Sequence, residues 1–260
     1  MNIKKYFIIL TTLCALGLAV FIDPSAIAWI FNKPSKISRQ EYPHSHPILE
    51  KENFTLCYDG KNKVPLWTLE KLDGTEQNIH INRKSTRFNE DKQIYPFHRS
   101  SLEDYKHSGY DRGHLCPAKN HKQSFQEYSD TFLLSNICPM PPEFNQGIWK
   151  QLENYAYNLS KTNASVTLIS GPLFIKKKHH ITYAVIGENN VAVPTHFFKV
   201  IHIEDQKHKI RTEVFVIDVN KHPQSLFVDK NKQEIDPSLI TTLAYLENVS
   251  GITFPRYYNE

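Results

Sequence analysis

The 260-residue chain has only four cysteines, and the first of them, Cys14, sits in an apolar amino-terminal run. The other three, Cys57, Cys116 and Cys138, are an odd set that cannot pair completely, which excludes a disulfide-framework protein. One bridge can form in an oxidising compartment, and Cys116–Cys138 is the candidate pair. The spacing of the three does not resemble a zinc site. Charge of one sign is also scarce: 31 Lys and Arg stand against 27 Asp and Glu, a net +4. Residues 1–28 hold Lys4, Lys5 and Asp23, so the remainder carries +3 (4 − 1). An excess that small suits a polyanionic partner but identifies none. Internal repeats and low-complexity segments are absent, which excludes solenoids and arrays. Residues 1–30 contain no Arg and form no basic amphipathic face, which argues against a mitochondrial presequence.

What is present at the amino terminus reads as a leader. Lys4 and Lys5 precede an apolar run from Tyr6 to Ile22, and Ala26-Ile27-Ala28 supplies the small-x-small pattern of a cleavage site. Residues 1–28 are therefore expected to be an export signal, placing the protein in the periplasm or outside the cell. An uncleaved membrane anchor is the main alternative, because the run approaches the shortest span that crosses a bilayer; a mitochondrial address is the remaining one. Residues 29–52, with Pro34, Pro43 and Pro47, read as a linker or surface arm, and His44 and His46 within it as solvated. Residues 53–256 then form the domain.

Within that domain, alternation over Phe54–Tyr58 and Val64–Leu69 predicts two strands around a turn at Asp59-Gly60-Lys61-Asn62. Residues 73–110 are polar and irregular. From Asn145 to Leu159 the apolar positions Ile148, Trp149, Leu152, Tyr155, Ala156 and Leu159 follow a 3.6-residue stripe, which predicts a helix starting at Asn145. Apolar β-rich runs follow at 165–169, 183–186 with 191–203, and 210–219, and a last amphipathic helix at 237–248. Strands on both sides of a central helix, without βαβ alternation, indicate an α+β fold.

Chemistry concentrates in Asp111-Arg112-Gly113-His114. A phosphodiester is an anion that resists attack by another anion. Its hydrolysis needs a base for water, positive charge on the non-bridging oxygens, and help for the departing oxygen. Histidine, with an unperturbed pKa near neutrality, suits the first need, and a divalent ion suits the other two. Few carboxylates lie near His114 to hold such an ion; the sequence offers Asn145 at the helix start and Glu153 two turns on. On a regular helix those two lie only about 80° apart, so both can face one cavity. One neutral amide with several waters suits magnesium, which dehydrates reluctantly, and Glu153 would then hold water beside it. An Asn at a helix start can also serve as its N-cap, and Asp111 can equally be a turn acid that buttresses the loop. His196, in the β-rich stretch Val193-Pro194-Thr195-His196-Phe197-Phe198-Lys199, reads as a packed structural histidine, and Lys176–Lys178 with His179 and His180 as a solvated basic loop.

The run Ser108-Gly109-Tyr110-Asp111-Arg112-Gly113-His114 resembles the Asp-Arg-Gly-His motif of the DNA/RNA non-specific endonuclease family, in its endonuclease G branch. The likeness continues through Asp130–Asn136, Phe144-Asn145-Gln146-Gly147 with Trp149, Leu152-Glu153, Ser170–Phe174, Val191–Lys199 and Ser250–Phe254. It covers roughly residues 55–255. The resemblance implies a ββα-metal nuclease fold with a central antiparallel sheet flanked by helices, acting on DNA and RNA, with a homodimer as the expected assembly. It further implies that His114 is the general base, Asn145 the ligand of a single Mg2+ (with Mn2+ as a substitute), and Glu153 the carboxylate that orders water around the metal. Asn136 would support the active-site network and Arg112 would lie near phosphate. A further family arginine at phosphate corresponds to Arg83, or to Arg87 as runner-up. One departure stands out: some secreted members carry an arginine four residues after the helix glutamate, where this chain has Tyr157.

Overall fold

The computed structural model describes residues 46–74, 86–175, 182–229 and 234–254. Strands β1 (Ile48–Glu50), β2 (Phe54–Asp59) and β3 (Val64–Leu72) form a meander. The β2–β3 turn is fixed by Asp59, whose Oδ1 accepts from the backbone N–H of Lys61 (2.9 Å) and Asn62 (3.2 Å). The last arm residues are thus not loose: Ile48–Glu50 pair with β2 as an edge strand, and half-buried His46 lies 3.9 Å from Asp59 rather than free in solvent. The leader, Arg83 and the Lys176–His180 loop lie outside the described residues.

A short antiparallel pair follows, β4 (Asp111–His114) with β5 (Ile137–Met140); helix α1 (Leu102–Tyr105) precedes β4 and helix α2 (Phe125–Asp130) lies between the two strands in sequence. After β5 comes the long helical segment ending in α3 (Lys150–Ser160), and then β6 (Ser165–Leu173), β7 (Val185–Ile186), β8 (Val191–Ala192), β9 (His196–Glu204) and β10 (Ile210–Asp218). The run expected to be continuous over 191–203 is broken between β8 and β9, where Pro194 cannot donate to a ladder. Short strands β11 (Phe227–Asp229), β12 (Glu234–Ile235) and β13 (Ile240–Thr241) and helix α4 (Leu243–Ser250) complete the described chain. The expected helix at 237–248 is in fact a 3-10 turn, Pro237–Leu239, then β13, then α4. Two separate caps explain the division: Asp236 accepts from Ser238 N–H, and Thr242 accepts from Tyr245 N–H.

Seven strands make one antiparallel sheet in the order β1-β2-β3-β6-β9-β10-β13. Both faces are covered, which is why its central strands read as nearly unbroken apolar runs. On one face Val166, Leu168, Phe197, Ile201, Ile203 and Phe215 pack with Leu152 and Ala156 of α3 and with Ile137 and Met140 of β5. On the other, Trp67, Leu69, Phe198, Val200 and Val214 pack with Leu246, Ile252 and Phe254. The sheet thereby holds α3 and the β4–β5 pair against one side.

One sequence expectation changes here. Cys116 and Cys138 are not bridged; Cys57, Cys116 and Cys138 are all buried free thiols. Cys138 pairs with Gly113 in the β4–β5 ladder, whereas the Cys116 sulfur lies against His121 Nε2 at 2.9 Å.

His202 of β9 is buried, with Nδ1 at 2.8 Å from Thr212 Oγ1, and burial lowers its pKa from 6.5 to about 4. Between those values the unfolded chain binds a proton that the folded chain refuses. Stability from this residue is therefore present above pH 6.5 and falls as the pH drops toward 4. Urea melts at pH 7 and pH 5 are expected to differ by about 2 kcal/mol from His202 alone. A His202→Gln variant should show a correspondingly flatter profile.

Candidate active site

Pairing in β4–β5 is in tight register: Asp111 opposite Met140, Gly113 opposite Cys138 and His114 opposite Ile137. Gly113 is required there, because a Cβ would fall 2.2 Å from the Met140 sulfur. The motif is therefore an extended strand that presents Asp111 at one end and His114 at the other.

The helix that follows β5 does not begin at Asn145. One helical turn, Pro142–Phe144, precedes a π turn over Asn145–Trp149, which then runs into α3. Gly147 breaks the helical geometry inside that turn (φ −95°, ψ −109°), so the 80° phase expected of a regular helix does not apply between Asn145 and Glu153. Asn145 is not an N-cap. Its Nδ2 donates to Asp111 Oδ2 at 2.9 Å, and Gln146 Nε2 donates to the same oxygen at 2.9 Å. At the other end of β4, Trp149 Nε1 donates to the His114 carbonyl at 3.0 Å. Strand and helix are thus tied at two points, and His114 and Asn145 both lie on the junction between them.

Around His114 stands an aromatic wall, one side of it, Phe88, from the polar irregular segment. Phe88 lies 5.4 Å from the His114 ring and Phe132 5.2 Å, the latter edge-on. The Arg112 guanidinium lies over Phe88 at 4.6 Å, at the exposed rim. Exposed Arg87 immediately precedes Phe88 in the chain. Asp91 anchors the segment, accepting from Lys51 Nζ (2.7 Å) and Ser135 Oγ (2.6 Å).

Asn136 is fully buried and its amide is occupied by backbone. Oδ1 accepts from Cys116 N–H (3.0 Å), and Nδ2 donates to the carbonyls of Cys116 and Thr131 (both 2.9 Å). This clamps the loop leaving His114, a positioning role with no polar atom to spare for a ligand. His196 fits its packed reading, with Asp218 Oδ2 3.6 Å from its Nε2 and Thr195 Oγ1 2.9 Å from its Nδ1.

Glu153, partly exposed on α3, is surrounded by so much protein that its pKa rises to about 7; the ammonium groups of Lys199 and Lys119 oppose the rise. Lys199 is fully buried, donates to Ser170 Oγ and lies over Trp149 at 4.7 Å. Behind these groups Glu70, Cys116 and His121 bring one ligand atom each within 4.8 Å of one another, all buried. Glu70 Oε2 receives Asn120 Nδ2 and lies against His121 Nε2, both at 2.9 Å. Burial would raise the Glu70 carboxyl, but the bond and charge of His121, with Lys199 and Asn120, outweigh it and leave the pKa lowered.

Among the described residues one group of potential metal-binding side chains is brought together, and the Asn145 amide offers a separate oxygen. Glu70, Cys116 and His121 mix sulfur, nitrogen and oxygen, a set for a soft or borderline ion. Burial, then Glu70, pushes the Cys116 thiol well up, so it is a poor ligand at neutral pH. At the junction, with its NH2 committed to Asp111, Asn145 has Oδ1 left as acceptor; Glu153 follows on α3, beyond the break at Gly147. Oxygen donors suit a hard, hydrated ion.

The motif residues that point to the site do not include Lys119, Lys199, Glu70 or His121. A signal existed for two of them. Lys199 interrupts the apolar series Phe197, Ile201, Ile203, and Glu70 lies between Val64 and Leu72 on the same sheet face, so each is a charge placed on a buried face.

A family profile described as DNA/RNA non-specific endonuclease matches residues 33–259. "Endonuclease G, mitochondrial" of Bos taurus is 38% identical over 189 residues, 71% of this chain and 63% of that protein. "Mitochondrial nuclease" of Saccharomyces cerevisiae is 39% identical over 183 residues, 66% of this chain and 55% of that protein. The chain thus spans less than two thirds of the length of these relatives. A solved structure of an EndoG/EndoGI complex, addressing EndoG inhibition, superposes with a TM-score of 0.70 at 34% identity, covering 80% of this chain and 84% of that one. The strand–strand–helix junction carrying His114 and Asn145, set against a central antiparallel sheet, is thus the ββα-metal fold, and the chain belongs to the DNA/RNA non-specific endonuclease family, in its endonuclease G branch.

Proposed function

We propose that this chain is a metal-dependent endonuclease that hydrolyses phosphodiester bonds in both DNA and RNA and leaves 5′-phosphate ends. The observation that carries the reading is the junction itself: two hydrogen-bonded ties, Asp111 to Asn145 and Trp149 to His114, hold an imidazole-bearing strand against an amide-bearing helix.

In this reading His114 takes the proton from the attacking water, with Phe88 and Phe132 fixing its ring. Arg112 neutralises the phosphate at the rim together with Arg83 or, as the runner-up, Arg87. Asp111 acts on Asn145 rather than on substrate: by accepting from the amide NH2 it turns the carbonyl oxygen outward. Glu153 accepts hydrogen bonds from ordered water, and Asn136 keeps the loop after His114 in place. The free amide oxygen of Asn145 would be the protein ligand of Mg2+, with Mn2+ as a substitute; when bound, such an ion supplies charge to the phosphate and to the leaving oxygen. Contacts to phosphate rather than to bases account for the absence of sequence preference.

A plasmid-nicking assay tests the reading. Purified protein with Mg2+ is expected to relax and then linearise supercoiled DNA and to degrade RNA, and EDTA is expected to abolish both. Cleavage of bis(p-nitrophenyl) phosphate with plasmid left intact would favour a phosphodiesterase of small nucleotides instead. Retention of nucleic acid without cleavage would mean an inactive binding module. Sedimentation tests the expected homodimer. For location, the Arg-free apolar leader supports export and the mitochondrial names of the relatives support an organelle; fractionation of the tagged full chain decides between them.

A further inference from the structure

Lys119 occupies an unusual position for a lysine. It lies on the 3-10 turn Ala118–Asn120, five residues after His114. That turn is rigid: Asn120 N–H donates to the Pro117 carbonyl at 2.9 Å, and the buried Asn120 side chain donates to Glu70. From this platform the Lys119 ammonium donates to Asn154 Oδ1 on α3, next to Glu153. It also lies 5.2 Å over the ring of Tyr157, one turn beyond Glu153. Lys161 reaches the same ring at 4.7 Å. The side chain is partly buried, yet no carboxylate lies within ion-pair distance of it among the described residues.

A surface lysine ordinarily keeps its head in water. Here burial depresses the ammonium to about pKa 8, against the pull of Glu153. The fold therefore holds a poorly hydrated cation beside the catalytic helix, with no anion at contact distance among the described residues. A phosphate of a bound strand would be that anion.

We propose that Lys119 is a phosphate-contacting residue of the active site, placed by Asn154 and Tyr157 to bind a non-bridging oxygen of the nucleic-acid backbone along α3. This rests on the nuclease reading above and adds a cation that the motif residues do not include. Lys119 takes the place on the helix face where Tyr157 offers only a neutral ring, so the charge comes from the loop instead of from the helix.

Two measurements on the full chain test it. Under single-turnover conditions with Mg2+, Lys119→Ala is expected to cleave a labelled single-stranded oligonucleotide about tenfold to a hundredfold more slowly, and Lys119→Arg to keep most of the rate. In EDTA, binding of the same oligonucleotide by His114→Ala protein is compared with and without Lys119→Ala as salt is varied. The slope of log affinity against log salt should fall by about 0.7 on loss of one phosphate contact to a single strand. The proposal is overturned if Lys119→Ala cleaves within twofold of the parent. It is equally overturned if the rate falls but the salt slope does not move and Lys119→Arg loses as much, since that pattern marks a structural lysine. Parent protein that binds but never cleaves would instead sink the nuclease reading, while the salt slope still decides whether Lys119 meets phosphate.

Discussion

His114→Ala is expected to lower the rate of phosphodiester cleavage at least about a hundredfold while leaving the thermal melt nearly unchanged. The expectation follows from how the residue is held. Its backbone belongs to the β4–β5 ladder and its carbonyl accepts from Trp149, and neither contact uses the imidazole. The ring is half-buried between Phe88 and Phe132, and truncation removes the catalytic group while leaving both backbone ties in place. Cleavage of a labelled oligonucleotide with excess Mg2+, run beside a circular-dichroism melt, reads both quantities. His196→Ala is the matched control: that ring pairs with Asp218 in the β9–β10 ladder, so its loss should cost stability rather than rate. If His114→Ala cut at a rate close to the parent, the base would have to be another group and the proposed mechanism would fail.

Much of this arrangement was legible in the sequence, and the rest was hidden for definable reasons. Linked motifs gave the fold, because Asp111–His114, Asn145 and Glu153 recur in order and the β-rich runs match β6, β9 and β10. The amphipathic stripe gave α3, since Leu152 and Ala156 do face the sheet. Its start was misplaced because Pro142 opens a turn that has no apolar periodicity, and because the π turn at Asn145–Trp149 depends on tertiary ties to β4. The sequence alone leaves Asp111 open between turn and site; its bonds to Asn145 and Gln146 make it a link between strand and helix. A disulfide was a fair expectation from cysteine count alone, but pairing depends on where thiols point, and Cys116 points at His121. Lys119 was invisible because its importance comes from Asn154 and Tyr157, 35 and 38 residues away along the chain.

Lys199→Met is expected to be the most destabilising of the single substitutions considered, by about 3–5 kcal/mol, because it removes one member of a buried charged group and leaves the other. Lys199 and Glu70 are both essentially inaccessible, on the same face of the sheet, and each shifts the pKa of the other. Methionine fills a similar volume and can keep contact with Trp149, so packing loss contributes little. What remains is a Glu70 carboxylate still hydrogen-bonded by Asn120 and His121 but deprived of the ammonium that balances it. The consequence is testable as a cycle of urea melts on the parent, Lys199→Met, Glu70→Gln and the double variant. If the charge imbalance is the cause, the double variant should be more stable than Lys199→Met alone, since Gln no longer needs a buried cation. Strictly additive losses would instead assign the cost to packing around Trp149. The same variant connects stability to chemistry: Lys199 opposes the upward shift of the Glu153 carboxyl, so without it Glu153 holds its proton to higher pH. The cleavage rate of whatever Lys199→Met protein remains folded should therefore fall off at higher pH on the acid side than that of the parent.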